Sequence, residues 1–317
     1  MSPRTRTYKK KSKKQNKKQH GGTIENKNTR GRTQIMRNIV AYENNAGKAK
    51  VLNTLAKGAK LNATNIEGFT PLHHLFLKTD EDDYPYISDD LVQALIAKGA
   101  NVNTRDNNGD TPLNLACEHG RIMPSTIRIL LAAGANPAIV NNARCTPLIT
   151  LLRNAPPTVH AVADVLIAAM TESELNIKDI WGNTALHYAA QYENIHILYN
   201  LLRKGVDVNI KNNKGQTPIF TSIKIHNLDA VIQLLVNHSD IRIKDNQDVS
   251  PLENAEFQII TTHAAQRQAR SSNNKKDAAE EYIASRRIKK ALEDEIEMLE
   301  KYANNNTNQY AAEFYSR

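Results

Sequence analysis

The stretch DIWGNTALHYAA, Asp179–Ala190, sets the only Trp of the chain beside a Gly, three residues before Thr184. An indole in a turn cannot be core, so the surroundings of the stretch decide what it is. The same text recurs as NIEGFTPLHHLF from Asn65, DNNGDTPLNLAC from Asp106, NNARCTPLITLL from Asn141, NNKGQTPIFTSI from Asn212 and DNQDVSPLENAE from Asp245. The Thr or Ser falls at 70, 111, 146, 184, 217 and 250, so the last three copies repeat every 33 residues and the earlier ones are longer.

Gly68, Gly109, Gly182 and Gly215 stand two residues before the Thr, where a tight turn needs a positive φ that costs glycine nothing. Thr then suits a helix N-cap, and Pro the first helical position, whose N–H has no intrahelical partner. Leu113 with Ala116, or Leu186 with Ala189, share one helical face. A second helix is read from Ile127, Leu130 and Leu131, from Leu198, Leu201 and Leu202, and from Leu234 and Leu235; Gly99, Gly134 and Gly205 end such helices. Each unit is thus helix, turn, helix, hairpin. One unit cannot bury both faces of its helices, so stability has to come from stacking on neighbours.

The period of 33 with T-P-L-H-x-A resembles the ankyrin repeat. The resemblance covers residues 33–257: a degenerate first repeat over 33–64, then repeats starting near 65, 106, 141, 179, 212 and 245. It implies an all-α solenoid, with extra residues bulging out at KTDEDDYPYISDD and around Pro156. Arg144 and Asp248 replace the turn glycine of the third and sixth units, and the third is where a remodelled turn is expected, Asp tolerating the left-handed region better than Arg. In the family, hairpin tips and first helices line a concave face that meets protein partners. Carried over by position, this selects Ile66, Glu67, Phe69, Leu77, Asn107, Asn108, Asp110, Glu118, Arg153, Ile180, Trp181, Gln191, Tyr192, Lys214, Gln216 and Lys224. Two readings of Trp181 stand side by side: an interface anchor, or a ring lying flat on a neighbouring hairpin.

Composition sets the outer bounds. The formal charge of +9 belongs to the N-terminus, because residues 1–32 carry 12 Lys and Arg against Glu25, a net of +11 that leaves the remainder at −2. This arm, with Lys9, Lys10, Lys11, Lys13, Lys14, Lys17 and Lys18, has little to bury and is expected to be disordered. It suits a nuclear signal, a nucleic acid or another polyanion, or solvation alone; with Tyr8 its one aromatic, base stacking cannot give it sequence preference. A Lys-rich start followed by Gly-Gly, in a chain with 35 Asn, also resembles the ankyrin proteins of giant DNA viruses. No apolar run reaches the ~18 residues that cross a membrane, and two cysteines make no disulfide framework, so an intracellular place in cytoplasm or nucleus is expected.

The search for chemistry gives binding rather than catalysis. His73 and His187 hold the repeat's His position, which in the family is a structural hydrogen-bonding one; His74, His119 and His196 form no ligand spacing with them. Asp80–Asp83 lack the glycine and terminal Glu of a calcium loop. Cys117 reads as a small buried hydrophobe, and the turn position of Cys145 leaves its exposure open. No catalytic arrangement, cofactor loop or metal site emerges, so the chain is expected to be a non-enzymatic scaffold or adaptor for an unidentified protein partner. The alternatives are a nucleic-acid-associated tether working through the arm and a substrate adaptor for a ubiquitin ligase, although no Leu-Pro-x-Glu recruiting run is found near the C-terminus. Beyond a polar linker at 258–276, residues 277–303 carry Ala284, Ile288, Leu292, Ile296, Leu299 and Ala303 on one helical stripe, before a polar tail at 304–317. That helix either covers the open end of the stack or meets a partner.

Overall fold

The computed structural model describes residues 31–41, 45–77, 88–118, 123–154, 159–268 and 275–304. The basic arm with its seven singled-out lysines, the acidic loop at Asp80–Asp83, His119 and Pro156 lie outside them, as does nearly all of the polar tail. No β-strand occurs among the described residues; the chain is a succession of helix pairs.

The pairs are α1 (Gln34–Val40) with α2 (Asn45–Ala56), α3 (Pro71–Phe76) with α4 (Asp89–Ala97), α5 (Pro112–Glu118) with α6 (Pro124–Ala132) and α7 (Pro147–Asn154) with α8 (Val159–Ala169). After the one-turn α9 (Glu172–Leu175) come α10 (Ala185–Ala189) with α11 (His196–Arg203), α12 (Pro218–Lys224) with α13 (Leu228–Val236), and finally α14 (Pro251–Gln268) with α15 (Lys275–Asn304). First helices pack in one row, α1 on α3, α5, α7, α10, α12 and α14 in turn. Second helices form the other row, α2 through α4, α6 and α8 to α11, with α13 against α15. The core is the continuous layer between the rows: Leu72, Leu91, Leu113, Leu130, Leu148, Val162, Leu198, Ile219 and Leu234 are all fully buried.

The elongated third unit holds its extra residues partly in α9. Thr171 caps that turn, its N–H donating to Glu174 Oε2 at 2.7 Å.

The main first helices begin directly after the Thr or Ser, and in two of them the His at the third position does more than cap. In the first such unit the Thr70 N–H donates to His73 Nδ1 at 3.1 Å, and His73 Nε2 lies 3.2 Å from the carbonyl oxygen of Asp110, one unit on. His187 repeats this with Thr184 N at 3.1 Å and the Gln216 carbonyl at 3.0 Å. A carbonyl only accepts, so the proton sits on Nε2 and Nδ1 is the acceptor. Asn114 fills the role in the second unit, accepting from the Thr111 N–H at 3.2 Å and donating to the Cys145 carbonyl at 3.3 Å. Burial lowers the pKa of His73 and of His187 to about 4, which keeps both rings neutral.

The stack closes at its C-terminal end on α14 and α15. Helix α14 runs through Gln268, so much of the segment expected as a polar linker is helical. Helix α15 packs on α13 and α14 with Ile288 and Leu292 buried; Ser285 Oγ lies 2.8 Å from His226 Nδ1, and Lys289 Nζ 3.1 Å from Glu256. Ile288, Leu292 and Ile296 of that stripe pack against the stack itself.

Candidate protein-binding face

The hairpins that join the units carry most of the expected contacts. In each, an Asn or Asp opens the turn and its side-chain oxygen accepts two backbone N–H groups: Asn65 from Glu67 and Phe69, Asp106 from Asn108 and Asp110, Asn141 from Ala143 and Cys145, Asp179 from Trp181 and Asn183, Asn212 from Lys214 and Gln216, Asp245 from Gln247 and Val249. This side-chain cap fixes the turn so firmly that Arg144 and Asp248 take φ values of 56° and 61° in place of glycine. The third turn is therefore not remodelled: Arg144 N still donates to the Asn141 carbonyl at 2.8 Å.

Successive tips are stitched by one backbone hydrogen bond each: Asn107 N to Glu67 O (3.1 Å), Asn142 N to Asn108 O (2.8 Å), Ile180 N to Ala143 O (3.1 Å), Asn213 N to Trp181 O (2.9 Å) and Asn246 N to Lys214 O (2.9 Å). Four of the five donor residues are Asn, and their side-chain amides add a second rung, to Ile66 O, Asn107 O, Ile180 O and Asn213 O at 2.8–3.0 Å. Ile180 is the exception. It stands where its neighbours have Asn, has no amide to give, and leaves its side chain 45% exposed.

Beside it Trp181 is 46% exposed, and the guanidinium of Arg153, from the end of α7, lies 4.6 Å from the centre of its ring. One face of the indole is covered by the cation of the preceding unit, which comes from the end of α7 and not from a hairpin, and the residue keeps nearly half of its surface in solvent. Arg153 is anchored below, its Nη1 donating to Cys145 Sγ at 3.2 Å, and Cys145 is fully buried. Burial pushes the Cys145 thiol up, against the pull of Arg153, so it is no exposed nucleophile. Asp179, beneath the turn, accepts the hydroxyl of Tyr188 at 2.6 Å, and burial with this carboxylate raises the Tyr188 pKa.

The remaining expected contacts divide by burial. Ile66, Asn107, Asn108, Glu118, Arg153, Ile180, Trp181, Gln191, Lys214 and Lys224 are exposed; Glu67, Leu77, Tyr192 and Gln216 are half-buried. Phe69 and Asp110 are buried, and this is a correction. They share the position just before the Thr, where the N–H is held by the turn-opening Asn or Asp and the residue is drawn inward. Phe69 is 5% exposed and its ring meets His73 and His74, while Asp110 Oδ1 accepts from Asn141 Nδ2 at 2.8 Å. Tyr192 is tied inward too: its hydroxyl donates to the Leu152 carbonyl, and burial moves its pKa up to about 12. Lys178 and Lys211 are not among the contacts expected from the sequence, and Arg144 is expected there only as a turn misfit, yet each is exposed on these hairpins. The signal for the two lysines is the recurrence of a basic residue just before the turn at 105, 178, 211 and 244. Among the described residues no group of His, Cys, Asp and Glu is placed to hold a metal, and no helix is long and apolar enough to cross a membrane.

The family model for ankyrin repeats in three copies matches residues 38–141, 85–179, 122–212 and 186–256, well over half of the chain. The chain belongs to the ankyrin-repeat family. Such repeats are protein-interaction modules of a typically non-enzymatic fold. Among curated ankyrin-repeat relatives, the ankyrin repeat protein OPG189 of variola virus is 25% identical over 188 residues, 59% of this chain and 30% of that protein. The transient receptor potential cation channel subfamily A member 1 of Drosophila melanogaster is 30% identical over 157 residues, 49% of this chain and 12% of the channel. The chain thus spans under a third of either relative. Among solved structures, the ankyrin repeat domain of Bcl-3 superposes with a TM-score of 0.57 at 22% identity over 71% of this chain and 94% of that one. That of human ASB11 does so at 0.55 and 18%, over 79% and 98%.

Proposed function

We propose that this ankyrin-repeat protein is a non-enzymatic scaffold whose protein partner lies across the hairpin tips and first helices, centred on Ile180, Trp181 and Arg153. The observation that carries the reading is the break in the asparagine ladder. At Ile180 the chain gives up a side-chain hydrogen bond that every other rung keeps, and places two large apolar side chains in solvent instead. A departure from a local rule that lowers stability and exposes apolar surface is expected at a functional site. Trp and Arg are also the residue types that dominate interface energies. Affinity capture from the native cell with the full chain tests it. Wild type and Tyr199→Ala, altered on the second-helix face where Tyr199 is equally exposed at 46%, should retain the same proteins, and Trp181→Ala should lose them. Equal retention by all three sinks the assignment.

A second reading has an observation of its own in the +11 charge of residues 1–32, which suits a polyanion tether in an intracellular compartment. Retention that survives Trp181→Ala but vanishes as salt rises would favour it.

A further inference from the structure

Resting on that reading of the hairpin face, we propose that the partner segment is an acidic peptide. Its carboxylates meet a row of cations held along the third to fifth hairpins, while an apolar side chain of the same segment covers Trp181.

The row is built by the backbone. Arg144 Nε donates to the Lys178 carbonyl at 3.3 Å, Lys178 Nζ to the Lys211 carbonyl at 2.9 Å, and Lys211 Nζ to the Lys244 carbonyl at 2.7 Å. Each side chain thus reaches across to the next unit and is held there, with its charge still exposed to solvent. A lysine already fixed in this way has less rotamer freedom to lose when a ligand arrives. Arg153 over the indole, and Lys214 and Lys224 on the fifth unit, add three more exposed cations. Among the described residues none of these six forms an ion pair with an acid; the row ends at Lys244, which Asp248 closes at 3.1 Å.

The turn-opening acids among them, Asp179 and Asp245, are engaged in hydrogen bonds within the stack. Asp179 accepts from Trp181 N, Asn183 N and Tyr188 Oη, and Asp245 from Gln247 N, Val249 N and Gln216 Nε2. On the two preceding hairpin units the same face carries Glu67 and Glu118 beside a single such cation, Arg105, whose Nη2 donates to the Val140 carbonyl at 2.9 Å. Acids are mixed with the cation there, whereas cations predominate from the third to the fifth hairpin, which favours that stretch for an acidic segment. A single exposed indole beside Ile180 suits one apolar side chain. A nucleic-acid strand would be better served by a series of aromatic platforms, which this face lacks among the described residues.

The test is a selection of random displayed peptides on the full-length chain at physiological salt, followed by titration of one enriched peptide, fluorescein-labelled. A labelled oligothymidylate of equal charge runs in parallel. The enriched peptides should combine Asp or Glu with an aromatic or aliphatic residue. Lys178→Glu with Lys211→Glu should weaken the titrated peptide by about tenfold or more, as loss of steering and introduced repulsion require, and Trp181→Ala should weaken it comparably. Lys178→Gln with Lys211→Gln, which removes charge without reversing it, gives the readout if the reversed variant fails to fold. Neutral or basic enriched peptides, no enrichment at all, or an acidic peptide that binds both lysine variants as wild type does would overturn the proposal. If such peptides still need Trp181, the face stands and only its acidic preference falls. If they are indifferent to Trp181 as well, the face falls with it. Tighter, lysine-dependent binding of the oligothymidylate would replace the peptide by nucleic acid.

Discussion

Replacing Gly182 by Ala puts a methyl where two hairpins nearly touch. Gly182 has φ +77°, and a Cβ built there would lie 2.5 Å from Asn213 Oδ1, 2.7 Å from Asn213 N and 3.0 Å from the Asn212 carbonyl carbon. Two costs follow. The left-handed backbone costs an L-residue about 1–2 kcal/mol. The methyl also pushes Asn213 away, stretching its bonds from N to Trp181 O at 2.9 Å and from Nδ2 to Ile180 O at 2.8 Å. Each such bond contributes about 1 kcal/mol, which brings the expected loss to roughly 3–4 kcal/mol. Gly134→Ala is the internal control. Its φ is +87° but a Cβ there meets nothing within 4 Å, so only the backbone cost of about 1–2 kcal/mol applies. Urea unfolding followed by circular dichroism gives both values, and Trp181 emission reports the hairpin itself. Equal losses for the two variants would refute close approach of hairpins as the reason glycine stands at 182.

Acid should destabilise the stack through its neutral histidines. His73, His74 and His187 have folded pKa values lowered to about 4 by burial, below the 6.5 of the free ring, so the unfolded chain binds more protons between these values. Stability is full above pH 6.5 and falls toward pH 4 by up to about 1.4 kcal/mol per pH unit per histidine. His187→Asn, which puts at Thr184 the pairing Asn114 already makes at Thr111, should remove one share of that slope in a pH series of urea midpoints; an unchanged slope would mean His187 is not held neutral. Deleting residues 1–32 should abolish retention on a polyanion column and leave the helical circular dichroism per remaining residue unchanged, whereas lost helicity would make the arm part of the fold.

The fold was legible because its signals are local and repeated. Thr, Pro and Gly recur at fixed offsets in most copies and mark the helix start and the left-handed turn there. What the text hid depends on neighbours. Phe69 reads as a tip residue by position, but the turn-opening Asn65 captures its N–H and swings the ring onto His73 and His74. Arg144 reads as a misfit, but Asn141 pays the turn's conformational cost by accepting two N–H groups. Cys145 falls in a turn and is nonetheless buried, since Arg153 lies over it. Helix α14 runs into a polar stretch because α15 returns along it, a contact that no local pattern announces. At the candidate site the exposed Trp181 was visible as the lone indole of the chain. The row from Arg144 to Lys211 showed only as recurring basic residues, because its members are joined through the backbone of the next unit.

The central claim is that a partner covers Trp181, and the lone indole reports on itself. In the free full-length chain its emission should be red and readily quenched by iodide, as a ring 46% exposed requires. Addition of the captured partner, or of a fragment of it lacking Trp, should shift the emission blue and protect it from iodide. Emission that is blue and unquenchable in the free chain, or that stays red and quenchable with the partner bound at saturation, would contradict the account.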